Sequence, residues 1–207
     1  YDVWKYLYKV IVLSNQSLSV IDSHKQLLST EQQRDFTAEV RAMRALFYYY
    51  AMDMFGQIPI VTSYDATLDQ IVQSKRSEVF KFIFDELQTV APLLADAHSN
   101  KEGNYYGRMT RPVVNFLLAK LALNAEVYTD DNWTDGQKLD GKNIFFTVDG
   151  EKKNAWETCI WYCEQLKMEG YELESDYASN FAVHNENSKE NIFTIPLDKN
   201  LYLNEYH

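Results

Sequence analysis

Residues 39–61 read EVRAMRALFYYYAMDMFGQIPIV, and this stretch decides the fold class. Val40, Met43, Phe47, Tyr50 and Met54 recur in steps of three and four, the period of one helix face laid on a partner helix. The helix has to stop at Phe55–Gly56. Glycine takes the left-handed stop conformation without strain, and Pro59 keeps the helix from resuming. The stretch that follows is apolar and extended. A long helix, a sharp stop and a packed neighbour are what these residues dictate.

Working outward, the same period marks a helix over about 3–28, with Trp4, Leu7, Tyr8, Ile11, Leu18 and Ile21 on one stripe. Asn15 falls on that stripe, so if buried it has to hydrogen-bond a loop backbone. Thr30 and Gln33 read as a capping box opening the helix over 30–55. Residues 57–76 are extended and loop-like. A third helix is expected over 77–95, with Pro92 kinking or ending it, and a fourth over 110–128, with Thr110 as N-cap and Pro112 in its first turn. Polar residues 129–154 form a loop insertion with turn signals at Asp135–Gly136, Asp140–Gly141 and Asp149–Gly150, and the extended Ile144–Val148 run predicts a small hairpin there. A fifth helix covers 155–169, and NIFTIPL, 191–197, reads as a short strand. Paired long helices predict a mostly α chain of tetratricopeptide-like repeats, an α-solenoid with long loops and a few short strands, forming a single helical-repeat section across 1–207. The Gly and Ala positions of the tetratricopeptide consensus are mostly missing.

Composition bounds the function. The 207 residues carry a formal charge of −10, which disfavours a nucleic-acid reader and an anionic membrane surface. No run reaches the length of a membrane span. Aromatics make up 14% of the chain, including 15 Tyr and 4 Trp, rich enough to serve both core and surface. Cys159 and Cys163 lie four apart on one helix face. That geometry fits a disulfide poorly, and two buried thiols are expected rather than a metal half-site.

Four stretches, in order, resemble the SusD/RagB family of outer-membrane nutrient-binding lipoproteins. Residues 4–21 resemble its aromatic opening followed by Asn. Residues 39–61 resemble its signature, with Glu39, Arg44, Ala45, Phe55, Gly56 and Pro59 in register. Residues 107–128 (GRMTRPVVNFLLAKLALNAEVY) resemble its Gly-Arg–Thr–helix motif. Residues 170–181 and 190–197 resemble its Gly-Tyr–Asp-Tyr–Phe stretch and Glu-led strand. The resemblance implies non-catalytic binding of an oligosaccharide at the cell surface and its delivery to a SusC-like TonB-dependent transporter. It implies membrane attachment only through an N-terminal lipid anchor absent from this chain. Members are considerably longer, so this chain reads as an internal section. The matched residues are architectural, and the resemblance carries over no sugar-binding residue.

Candidate ligand contacts therefore come from residue chemistry. Trp133 stands in a polar, turn-rich loop with little local core to join. An exposed indole offers a flat apolar face to the C–H side of a pyranose while polar neighbours take the hydroxyls. The alternative is that it plugs a gap against the helices. Tyr105 and Tyr106 are further candidates on the same grounds; Tyr202 and Tyr206 are candidates because the family resemblance implies that chain leaving the terminal strand heads toward the binding face. Arg44 and Glu39 read as ion-paired or loop-capping, and Arg108 as a contact to a helix C-terminus, rather than as sites for chemistry. Asp130, Asp131, Asn132, Asp135 and Asp140 lack the Gly–Glu spacing of a calcium-binding EF-hand loop. No cofactor is implied, and a structural calcium has no support. No nucleophile, phosphate-loop or zinc motif is present, so an enzyme is not expected. The competing reading is a helical-repeat scaffold for a protein partner.

Overall fold

The computed structural model describes residues 1–195, and among these six helices and one hairpin carry the fold. Helix α1 (Asp2–Ser23) leads through a 3-10 turn into α2 (Thr30–Phe55). Helix α3 (Arg76–Val90) packs on the other side of α2. Helix α4 (Arg111–Leu123) continues into the single-turn α5 (Ala125–Thr129). Strands β1 (Phe145–Val148) and β2 (Glu151–Asn154) pair antiparallel, Phe145 opposite Asn154, through Asp149 and Gly150 at φ 53° and 75°. Positive φ at both turn residues matches the twist of the strands, which is why Asp-Gly serves here. Helix α6 (Ala155–Met168) closes the order by packing on α4. The mostly α, tetratricopeptide-like class expected from the sequence is the observed one.

Helix α2 is the spine. It spans the expected 30–55, but the cap is Ser29, one residue before the Thr30 expected to open the capping box. The Ser29 hydroxyl accepts from the Gln32 amide at 3.1 Å and the Gln32 side chain accepts from the Ser29 amide at 3.0 Å. Gly56 ends it at φ 72°. Its buried face differs from the aromatic stripe. Ala38, Ala42, Ala45, Tyr48, Ala51 and Met52 are buried, Val40, Met43 and Phe47 are half-buried, and Tyr50 and Met54 are exposed. A helix sandwiched between two others needs small residues where the backbones approach closely. Large residues at the edges therefore outweigh the true contact face in a simple periodicity.

Other boundaries shift for local reasons. Helix α1 ends at Ser23, where the chain turns at His24 (φ −113°). Helix α3 stops at Val90, and Ala91–Leu93, holding Pro92, form a 3-10 turn. The expected 110–128 helix breaks at Asn124, whose amide and side chain both donate to the Lys120 carbonyl, at 3.2 and 3.0 Å. Residues 191–195 form no strand, and 196–197 lie outside the described residues. The core runs from Leu7 and Ile11 of α1 through α2 and α3 to Val114, Leu118 and Leu121 of α4 and Tyr162 of α6.

Candidate functional site

The turn that decides the fold is held by a polar network. Tyr48 Oη donates to the Val61 carbonyl and accepts from the Val61 amide, both at 2.7 Å. Tyr8 Oη donates to the Pro59 carbonyl at 2.7 Å, and the Asn15 side-chain amide donates to the Val61 carbonyl at 2.8 Å, the loop bond expected of a buried Asn15. Arg44 is buried. It donates to Asn15 Oδ1 and to Glu86, each at 2.8 Å, while Arg41 ion-pairs with the other Glu86 oxygen. Burial opposes the charged form of Glu86, but hydrogen bonds and charge from Arg41 and Arg44 outweigh it and hold the carboxyl below its ordinary value. Burial also pushes Tyr48 up to about 12, against its bond to Val61 and the charge of Arg44. Arg44 Nε is buried without a partner, but the Arg41 and Arg44 guanidiniums are both ion-paired with Glu86, so the cluster leaves no free cation to recruit an anion. Glu39 pairs with Arg108, so Arg108 meets a side chain of α2 and the Asn104 carbonyl instead of a helix C-terminus.

Trp133 is 77% exposed, so it fills no gap against the helices. Its loop is nonetheless ordered from below. The Asp130 carbonyl accepts from Arg76 at 2.7 Å, and the Asp131 carboxylate accepts from the amide and hydroxyl of Ser77 at the start of α3. Asp130, Asp135 and Asp140 accept from backbone amides two residues on, the Asx-turn pattern. Those carboxylates serve the loop itself, and no group of three or more His, Cys, Asp or Glu placed to hold a metal occurs among the described residues. An indole platform flanked by Asn132, Thr134 and Asp135 is left facing solvent.

Tyr105 and Tyr106 are each 37% exposed, and the Arg108 guanidinium lies 5.1 Å from the Tyr105 ring centre. Their loop is tied to α2 at Glu39. The Trp133 loop leaves α5, which is tied to α2 at Asp53 through Tyr128 Oη at 2.6 Å. These anchors are fourteen residues apart, about 21 Å of helix. The structure does not bring the two sets together. Tyr202 and Tyr206 lie outside the described residues.

One feature has no sequence counterpart. A groove of about 810 Å³ opens between α2 (Tyr49, Tyr50), α4 (Phe116, Lys120) and the irregular segment after α6 (Tyr177, Phe193). Its surface is largely apolar. Lys120 sits 5.3 Å from the Tyr49 ring centre, and Asn180 donates to Glu190 at 2.8 Å, so its polar groups are engaged. One wall is a segment without periodicity, which hid the groove from sequence; Tyr177 and Phe181, exposed aromatics in a polar stretch, were the available signal. Cys163 lines it and is exposed, which corrects the expectation of two buried thiols. Cys159 is half-buried, and burial and Cys163 push its thiol up to about 11. Among the described residues no helix is long and apolar enough to cross a membrane.

Comparison with known proteins identifies the family. Residues 1–123 match the SusD-like family model described as "Starch-binding associating with outer membrane", and the chain belongs to that family. The chain is 24% identical over 195 residues to a SusD-like protein of Bacteroides ovatus, covering 93% of this chain and 32% of that protein. It is 35% identical over 139 residues to the starch-binding protein SusD of Bacteroides thetaiotaomicron, covering 67% of this chain and 23% of that one. The crystal structure of a SusD-like protein from Bacteroides fragilis superposes with a TM-score of 0.71 at 21% identity, covering 94% of this chain and 33% of that one. A laminarin-binding SusD-like protein superposes with a TM-score of 0.63 at 22% identity, covering 93% and 36%. The chain thus spans about a third or less of the length of these relatives.

Proposed function

We propose that this chain is the helical section of a cell-surface glycan-binding protein that holds an oligosaccharide without cleaving it. The observation that carries the reading is Trp133: a large aromatic face, open to solvent, on a loop pinned to α3 and α5 within a family described as starch-binding. Stacking on the indole supplies the apolar part of recognition, and Asn132, Thr134 and Asp135 supply hydroxyl partners. Modest affinity suits a protein that releases its ligand onward. We further propose delivery to a SusC-like TonB-dependent transporter and attachment to the outer membrane by a lipid on the parent polypeptide. A second reading, a scaffold that docks a protein partner, draws on the apolar groove.

Affinity electrophoresis against a panel of soluble polysaccharides, with an assay for new reducing ends, separates these readings. Retardation by one glycan with no new reducing ends is expected. New reducing ends would make the protein an enzyme. No retardation by any glycan would favour the scaffold.

A further inference from the structure

The C-terminal end of α6 meets the loop after α3 in a second polar cluster. Glu169 is mostly buried. Its Oε1 accepts from Arg111 Nε at 3.4 Å and Asn115 Nδ2 at 3.3 Å, both long, while its Oε2 is buried without a partner. Arg111 also ion-pairs with Asp96, so one cation serves two carboxylates. His98 Nε2 donates to the Glu169 carbonyl at 2.8 Å, and its ring stacks on Tyr171 at 4.3 Å. Asn100, in the same loop, donates to the Ser188 carbonyl at 2.9 Å. The loop thus grips the segment that walls the groove at two points, Glu169–Tyr171 and Ser188. Buried polar atoms without a partner gather here: His98 Nδ1, Asn100 Oδ1, Thr110 Oγ1, Tyr171 Oη and Glu169 Oε2.

We infer that Asp96, His98, Arg111 and Glu169 form a proton-sensitive clasp, which holds the 171–193 wall of the groove more tightly once Glu169 takes up a proton. An ionised carboxylate is acceptor-only and needs donors on both oxygens; here one oxygen has none. Protonation removes the charge that the unpartnered Oε2 carries in a buried site. It also ends the repulsion between Asp96 and Glu169 and leaves Arg111 to Asp96. The groups facing Glu169 are Asp96 and His98 from the loop, Arg111 and Asn115 from α4, and Tyr171 from its own segment. Burial first, then Asp96, pushes the Glu169 carboxyl above its ordinary value, against the pull of Arg111 and Asn115. A raised carboxyl favours the fold in its protonated form. That contribution is complete below the unfolded value and is lost as pH rises through the folded one.

Hydrogen exchange of the amides of 171–193, corrected for intrinsic rates, tests this at neutral pH and at a lower pH near the ordinary glutamate value, about 4.5. The wild-type protein should gain protection at least about threefold at the lower pH. Glu169→Gln, which mimics the protonated acid, should show the higher protection at both. Asp96→Asn, which removes the like charge, should move the wild-type transition to lower pH, and serves as the test if the Gln variant misfolds. Flat or falling protection toward acid, or an unmoved transition in Asp96→Asn, would overturn the inference. So would a response retained by Glu169→Gln, which would assign the proton to another group.

Discussion

Glu86 and Glu169 are both glutamates turned inward towards arginine, and their carboxyls shift in opposite directions. Glu86 has two arginines to itself, Arg41 across both carboxylate oxygens and Arg44 on one of them, and Asn15 satisfies a further donor of Arg44. Its carboxyl is held low. Glu169 shares one arginine with Asp96, takes both its hydrogen bonds on one oxygen, and is held high. Burial disfavours the charge at both sites; the count of donors decides which side wins. The Glu86 cluster fastens the Gly56–Val61 turn between α1, α2 and α3, and the Glu169 cluster fastens the wall of the groove. One half of the molecule is locked at neutral pH, and the other tightens with a proton.

The largest expected effect breaks the first cluster. Arg44→Ala removes the buried partner of Glu86, leaving it only Arg41, and strips Asn15 Oδ1 of its donor, and should cost about 3–5 kcal/mol in denaturant unfolding at neutral pH. Because the Glu86 carboxyl is held low, its stabilisation is present above the unfolded value near pH ~4.5 and is lost as pH falls through the folded value. The gap between Arg44→Ala and wild type should therefore narrow in acid below that point. An unchanged gap would mean that the arginine acts by packing alone.

Arg111→Ala should cost less, about 1–2 kcal/mol at pH near 7.5, because Arg111 is a third exposed and Glu169 can neutralise itself by taking a proton. Its cost should shrink between neutral pH and about pH 4.5, above the range in which the Arg44→Ala gap closes. Thermal unfolding at the two pH values reads this directly, and equal pH dependence for the two variants would erase the contrast. Smallest of all, Lys81→Ala removes an exposed pair with Asp85 and should change stability by less than about 0.5 kcal/mol. A larger loss there would show that ion pairing in this protein is not graded by burial.

Much of the scaffold was legible because it rests on local signals. The stop at Gly56, the turn at Asp149–Gly150 and Pro112 in a first turn all act within a few residues of themselves. Even the Asn15 bond to the loop followed from a polar residue on an apolar stripe. The α2 contact face was misread because three consecutive tyrosines dominate its pattern while alanines make the closest approach. Arg44–Glu86 joins residues 42 apart, and Glu169 meets Asp96 and Arg111 across a loop, so neither pairing has a spacing to read. Trp133 was legible as an aromatic without a local core. The groove was not, since one wall is irregular chain.

Calorimetric titration of the glycan that the protein retains, with wild type beside Trp133→Ala and Trp133→Phe, tests the functional account most directly. The account predicts that Trp133→Ala weakens binding at least about tenfold, about 1.4 kcal/mol, that Trp133→Phe recovers part of it, and that thermal stability is unchanged. Equal affinity in all three would contradict it and place the glycan away from this loop.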